Sequence, residues 1–226
     1  MKKHLILTLA IVGIGTFGSN AAGLVNASFE VPAIPNPDPW IGLSGSPSGF
    51  GWVISSGNVE VISSTLWSPS HGNQSLDLNG DQPGTIYQDF TFPTAGLWAI
   101  KFDMSANPGD INIQVNDKTL RVDFGAASGP LAGVLTNTVS NIGRSHFNMQ
   151  YVEVTTPTFS VDATTTYRLA FTSLTGDTGG PVIDNVRIVA VPEPSPLALV
   201  ALTIGCFVFS AAISGRKTGQ AITPKA

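Results

Sequence analysis

Short runs that alternate apolar and polar residues recur between Gly, Pro and Asn along the middle of the chain, and no stretch there shows helical periodicity over three turns. This pattern predicts an all-β domain built as a sandwich or jelly roll. The predicted strands cover residues 26–31, 51–54, 59–63, 75–79, 85–92, 97–105, 111–115, 118–124, 149–155, 158–161, 166–173 and 182–189.

Two connections stand out among these strands. Asn116-Asp117 separates two alternating runs and predicts a tight hairpin. Residues 125–145 are rich in Gly, Ser and Asn and predict a long connection, which is either a binding loop or a flexible excursion.

The N-terminal residues 1–22 have the order of a secretory signal peptide. Lys2 and Lys3 precede an apolar run from Leu5 to Ile14, and small residues follow around Ala21 and Ala22. We expect a signal helix that signal peptidase removes after Ala21 or Ala22. The alternative is an N-terminal membrane anchor.

The C-terminal residues 191–217 combine a Pro-Glu-Pro motif, an apolar run over 197–213 and a basic pair, and a polar tail covers 218–226. The apolar run would form ~25 Å of helix, enough to cross a thin bilayer. The order resembles the PEP-CTERM sorting signal, although the polar tail is longer than that family usually has. The resemblance implies transient anchoring in the inner membrane and cleavage by an exosortase near the motif; the alternative is a permanent single-pass anchor. The residues that carry it are Pro192, Glu193, Pro194, Arg216 and Lys217.

Between the two ends, residues 23–196 contain six Lys and Arg against fifteen Asp and Glu, an excess of nine negative charges. A domain this acidic repels phosphate backbones, so nucleic acid is excluded as the expected partner. The single cysteine, Cys206, lies in the apolar tail, so the domain has no disulfide and relies on its core or on a metal ion. Its length suits one domain, predicted over 23–190.

Several segments of that domain resemble the choice-of-anchor C family. They are Asn-Ala-Ser-Phe-Glu over 26–30, Ser-Leu-Asp-Leu-Asn-Gly over 75–80, Pro-Gly-Thr-Ile-Tyr-Gln over 83–88, Phe-Thr-Ser over 171–173 and Gly-Pro-Val-Ile-Asp-Asn-Val over 180–186. Ala27 stands where the family usually has Gly. The resemblance implies the galactose-binding-like jelly-roll β-sandwich, a fold that many carbohydrate-binding modules use. A glycan role drawn from the fold alone is analogy.

The resemblance also implies a structural calcium ion. In similar modules, carboxylates at the positions of Glu30 and Asp184 meet and hold calcium, and Asp77, Asn26 or Ser28 would complete the hard oxygen ligands. The alternative is a solvated or hydrogen-bonded carboxylate at each strand edge.

Aromatic side chains on loops can stack on sugar rings. Trp40 in a Pro-rich segment and Trp67 before Pro69 are the candidate ligand contacts, although packing is the commoner role of Trp. Trp52 and Trp98 lie in predicted strands and are expected in the core. The chain contains no zinc-protease or nucleophile-elbow motif, and we expect no catalytic activity.

Three functions follow in order of preference. The first is an exported surface or extracellular-matrix protein whose sandwich binds exopolysaccharide without catalysis. The second is a structural surface protein that self-associates, and the third is a glycan hydrolase with a carboxylate pair.

Overall fold

The computed structural model describes residues 23–109 and 117–192. Within them the chain forms eleven β-strands, so the predicted all-β class is confirmed. They are β1 (Trp40–Gly45), β2 (Val53–Ser63), β3 (Gln74–Asp77), β4 (Thr85–Phe90), β5 (Gly96–Ala106), β6 (Asp117–Ala126), β7 (Ala132–Ser140), β8 (Val152–Thr155), β9 (Phe159–Val161), β10 (Tyr167–Ser173) and β11 (Pro181–Ala190).

The strands form one hydrogen-bonded path in the order β7-β6-β10-β4-β2-β3-β11-β5-β8, with β1 added to β2 and β9 added to β5. The paired strands are antiparallel. For example, Trp40 of β1 lies opposite Ile62 of β2, and Tyr167 of β10 lies opposite Phe90 of β4. The path does not lie flat. It folds over itself at β2.

The long strand β2 belongs to both halves of the path. Its first part pairs with β4, where Ile54 lies opposite Ile86. Its last part pairs with β3, where Glu60 lies opposite Asp77. Gly57 lies between the two parts with φ of +60°, a conformation that only glycine adopts at little cost. The first layer therefore contains β4, β10, β6 and β7, and the second contains β1, β3, β11, β5, β8 and β9.

The two layers bury one core between them. Phe102 of the second layer and Phe171 of the first approach edge to face with ring centroids 5.1 Å apart. Trp52 and Trp98 are 1% and 2% exposed, which confirms their predicted place in the core. The shared core makes the molecule a β-sandwich.

Three parts of the predicted strand pattern are wrong. Residues 26–31 form no strand, because Asn26 and Phe29 have positive φ and turn the chain. Residues 132–140 form the edge strand β7 inside the predicted long connection, with polar side chains outward as an edge allows. Trp40, expected on a loop, begins β1.

Several predictions concern segments outside the residues that the structure describes. They are the signal peptide over 1–22, the strand over 111–115 with most of the Asn116-Asp117 hairpin, and the membrane helix over 197–213. Within 23–109 and 117–192, no helix has the length and apolar character needed to cross a membrane.

We expect Gly57→Ala to destabilise the fold, because a Cβ at this position would overlap the carbonyl oxygen of Pro83 and would hold an L side chain at positive φ. The expected loss in the free energy of unfolding is about 2 kcal/mol or more, measured by urea denaturation. Gly42→Ala is the matched control, since nothing lies within 4 Å of a Cβ added there. Equal stabilities of the two variants would show that the bend in β2 does not depend on glycine.

Candidate functional site

The outer face of the second layer carries a groove, and its floor begins on β2. Side chains alternate between the faces of a strand, so Val59 and Val61 enter the main core while Glu60 and Ile62 point to the outer face. Ile62 belongs to a second, smaller apolar cluster with Trp67, Met149 and Val182. Two loops, 64–70 and 141–151, supply the Trp and Met of this cluster and cover part of the outer face.

A tight turn in the second loop presents an aromatic ring to solvent. The backbone N–H of Ser145 donates to the carbonyl of Asn148 at 3.0 Å, and the reverse bond is 2.9 Å long. This closes a two-residue turn with Phe147 at its tip, 94% exposed. The carbonyl of His146 accepts a bond from the Ser68 N–H at 3.0 Å, and the His146 ring lies 6.2 Å from the Trp67 ring. The turn is therefore tied to the other loop.

Arg144 fixes the base of the same turn. Its Nε donates to Ser105 Oγ at 3.1 Å, Nη2 donates to the Gln150 carbonyl at 3.1 Å, and Nη1 donates to the Ser140 carbonyl. Burial lowers the pKa of this guanidinium. Its hydrogen bonds join β5, the end of β7 and the loop, so Arg144 positions the turn that carries Phe147.

The groove between these elements has a volume of about 860 Å³. Trp40 on β1 is 48% exposed and lines it together with Phe147, so two exposed aromatic rings border one concavity. Trp67 also lines the groove, but it is only 3% exposed and its Nε1 donates to Ser75 Oγ at 2.9 Å. The structure thus brings both predicted tryptophans to one site. Trp40 offers a ring surface, and Trp67 supports the floor.

Phe147 is the site residue that the sequence analysis missed. It lies just after the predicted connection over 125–145, in a segment where apolar and polar residues do not alternate and no strand is predicted. The sequence does contain a turn signal at this place, because Ser145 and Asn148, residue types that favour turns, enclose His146 and Phe147.

A second, smaller concavity of about 370 Å³ lies on the outer face of the first layer. Its charged groups are already paired. Arg168 donates to both carboxylate oxygens of Asp89 at 2.7 and 2.8 Å and covers the Tyr87 ring at 3.7 Å, and Arg121 pairs with Asp123 at 2.8 Å. The groove beside Trp40 is the better candidate site.

The predicted metal ligands Glu30 and Asp184 both bind the segment over residues 70–74. Asp184 Oδ2 accepts bonds from the His71 N–H at 2.8 Å and from Ser70 Oγ at 3.0 Å. Glu30 Oε1 accepts bonds from the N–H groups of Asn73 and Gln74, both at 2.9 Å. Each carboxylate is therefore hydrogen-bonded, which was the alternative to calcium. Burial raises the pKa of Asp184 to about 6 even though these bonds act in the opposite direction.

Asp77, the third predicted ligand, has different partners. Its Oδ1 accepts bonds from the N–H groups of Asn79 at 2.8 Å and Gly180 at 3.0 Å, and Oδ2 accepts one from Asn107 Nδ2 at 2.7 Å. Burial raises the pKa of Asp77 to about 7. Among the described residues, no three His, Cys, Asp or Glu side chains are grouped to hold a metal ion. The calcium site stays a prediction.

The sorting motif lies at the limit of the described chain. Pro192 is exposed, whereas Glu193, Pro194, Arg216 and Lys217 lie outside the described residues.

Comparisons with known proteins identify relatives of this domain. The family model described as "Protein of unknown function (DUF642)" matches residues 22–189. Halomucin of Haloquadratum walsbyi is 30% identical over 156 residues, which is 68% of this chain but only 2% of that protein.

Solved carbohydrate-binding modules are similar in structure at low identity. TmCBM61 in complex with beta-1,4-galactotriose has a TM-score of 0.43 at 12% identity, over 75% of this chain and 99% of that chain. The CBM22-1 xylan-binding domain from Paenibacillus barcinonensis Xyn10C has a TM-score of 0.42 at 15% identity, over 68% of this chain and 94% of that chain.

The raised pKa values of Asp77 and Asp184 predict how stability depends on pH. Both pKa values lie above the ordinary value of 3.8. The folded protein therefore binds more protons than the unfolded chain, at Asp77 between pH 3.8 and about 7 and at Asp184 between pH 3.8 and about 6. The free energy of unfolding should therefore fall as the pH rises through these ranges, with Tm decreasing by roughly several degrees.

Asp77→Asn should make Tm independent of pH between about pH 6 and pH 7. Below about pH 6, Tm should still fall as the pH rises, because Asp184 still titrates there. Asp117→Asn, at an exposed position of β6, is the control and should keep the wild-type profile. A wild-type Tm that stays constant or rises over the same range would contradict the assignment.

Proposed function

This chain belongs to the DUF642 family, and we propose that it is a non-catalytic β-sandwich that associates with polysaccharide through the groove between Trp40 and Phe147. The proposal is supported first by the two exposed rings at one concavity. The apolar faces of sugar rings pack on aromatic side chains, and an aromatic ring exposed on a rigid element loses little conformational entropy on binding.

The rigidity of the groove is the observation that carries the proposal. Phe147 is 94% exposed, yet its turn is closed by two backbone bonds and fixed by Arg144 and by the Ser68 bond to His146. An aromatic ring at such a tip gains no burial in the folded domain. Its placement beside Trp40 supports a contact with something outside the chain.

A non-catalytic role fits the placement of the acids with the largest upward pKa shifts. Asp77 and Asp184 are fully buried and accept hydrogen bonds from backbone N–H groups. Neither is presented to the groove as an acid or base for hydrolysis, which requires two accessible carboxylates across the scissile bond. A hydrolase is the less favoured alternative, and a purely structural protein that self-associates is the main one.

We also propose, from the sequence of the two ends, that the protein is exported, anchored briefly in the inner membrane and cut by an exosortase. Mass spectrometry of the secreted fraction should find termini after Ala21 or Ala22 and near Pro192. Recovery of the intact precursor from the cytosol would contradict export.

We further propose that a structural calcium ion binds beside Glu30 and Asp184. Added Ca²⁺ should then raise Tm in the wild type and have no effect in Glu30→Ala. A Tm unaffected by Ca²⁺ and by chelator in both proteins would leave these carboxylates as hydrogen-bond acceptors for the 70–74 segment.

We expect Trp40→Ala and Phe147→Ala each to weaken retention on the bound polysaccharide by about tenfold or more, because each removes a ring that stacks on sugar. Affinity electrophoresis against a panel of exopolysaccharides measures the effect. Leu174→Ala is the matched control, since Leu174 is also 48% exposed but lies outside the groove.

If both groove variants are retained as strongly as the wild type, the polysaccharide binds outside this groove. If the wild type is retained on none of the polysaccharides and sediments as a concentration-dependent oligomer, the structural alternative replaces the proposal.

A further inference from the structure

One acid that lines the groove, Glu60, lies opposite a second, buried acid, Asp77, and neither has a positive partner among the described residues. Glu60 of β2 and Asp77 of β3 are directly opposite each other in the antiparallel ladder, and their side chains lie on the same face. Like charges at directly opposed positions destabilise a sheet. Asp77 is completely buried, while Glu60 is partly exposed and lines the groove.

Neither acid has a basic partner in the described structure. Asp77 accepts only neutral N–H donors, from Asn79, Gly180 and Asn107. Across 23–109 and 117–192, Glu60 is assigned no hydrogen bond or ion pair. Burial raises the pKa of Glu60, and the nearby Asp81 carboxylate raises it further.

The basic side chains of the domain are all committed elsewhere. Five of the six Lys and Arg in residues 23–196 form ion pairs with other acids, and the sixth, Arg144, bonds to Ser105, Ser140 and Gln150. These five residues form six ion pairs: Lys101 with Glu153, Lys118 with Asp177, Arg121 with Asp123, Arg168 with Asp89, and Arg187 with both Asp103 and Glu153. Arg144 lines the same groove as Glu60 but donates to neutral oxygens, so no lysine or arginine of the domain forms an ion pair with Glu60.

A buried hydrogen-bond acceptor without a donor lies next to Asp77. Asn79 is completely buried, and its Oδ1 has no hydrogen-bond partner in the described structure. This oxygen and Asp77 Oδ1 converge on the same side of Gly180, where an added Cβ would overlap both. An unpaired buried acceptor costs free energy, although neither Asn79 nor Asp77 lines the groove itself.

We propose that the ligand supplies the missing positive charge, so that the groove selects glycans with protonated amino groups and Glu60 pairs with the ammonium. This inference rests on the proposed function and names the class of sugar that the groove takes. Trp40 and Phe147 hold the sugar rings, and Glu60 distinguishes an amino sugar from an N-acetylated or acidic one. A charge-assisted hydrogen bond is shorter and stronger than a neutral one.

The geometry favours an ammonium over a metal ion. Calcium requires six to eight oxygen ligands, whereas Glu60 supplies the one carboxylate that lines the groove among the described residues, and Asp77 is enclosed by its three N–H donors. An ammonium group has three donors and is satisfied by one carboxylate with neighbouring hydroxyl or carbonyl oxygens.

The test uses two soluble probes with the same backbone, a β-1,4-linked glucosamine hexamer and its fully N-acetylated form, titrated calorimetrically into the exported domain at about pH 6, where the amines carry charge. We expect the glucosamine hexamer to bind about tenfold tighter or more. Glu60→Gln should abolish this difference without lowering Tm, because it keeps the size of a side chain that forms no ion pair in the described structure. Asp117→Asn removes the same formal charge from an exposed position on β6 and should keep the preference.

Equal affinity for the two hexamers, failure to bind the glucosamine hexamer, or an unchanged preference in Glu60→Gln would each overturn the inference. If any of these occurs while the protein is retained on another polysaccharide through Trp40 and Phe147, the proposed function stands. If no polysaccharide is retained, the proposed function fails as well.

Discussion

The bend of β2 at Gly57 allows a single strand to pair with neighbours in both layers of the sandwich. A strand that pairs with β4 before the bend and with β3 after it belongs to both layers, so one continuous ladder can enclose a core. The domain over residues 23–190 contains no cysteine, and the apolar core between the layers, including its aromatic contacts, holds them together. The same strand also determines the site, because the residues after the bend alternate between core and groove.

The groove is built on a second apolar cluster outside the main core. Ile62 and Val182 project from the outer face of a sheet, where water would otherwise reach them, and Trp67 and Met149 of two loops cover them. Burial of this kind contributes roughly 25 cal/mol per Å² of apolar surface. It makes the two loops a rigid frame, so Phe147 can stay exposed at a fixed position. Five of the six lysine and arginine side chains of the domain pair with other acids and Arg144 bonds to neutral oxygens, so the Glu60 carboxylate at this face has no ion pair among the described residues.

The sequence predicted the strands that have a clear buried face and missed those that do not. Alternation located β5 and β10, and it placed Trp52 and Trp98 in the core. It missed β7 because an edge strand buries little and tolerates Thr and Asn on its open side. It also divided β2 in two, because the glycine that bends the strand looks like the end of one.

The candidate site could be predicted only in part, for a related reason. Trp40 and Trp67 were identifiable by residue type, but that they share a groove depends on the pairing of β1 with β2 and on the cover provided by the 64–70 loop. Phe147 and Glu60 acquire their roles from neighbours distant in sequence. The opposition of Glu60 and Asp77 follows from the register of two strands, which the pattern of either strand alone does not determine.

Binding in the groove can be tested by an NMR titration that follows the indole N–H signals of the four tryptophans, with a soluble fragment of the polysaccharide that retains the protein. All four indoles lie in the described structure, so each reports on a known place. Binding in the groove predicts that the Trp40 signal shifts with ligand, while the signals of Trp52 and Trp98, buried in the main core, stay in place. A titration in which Trp40 is unaffected while the protein still binds would contradict it.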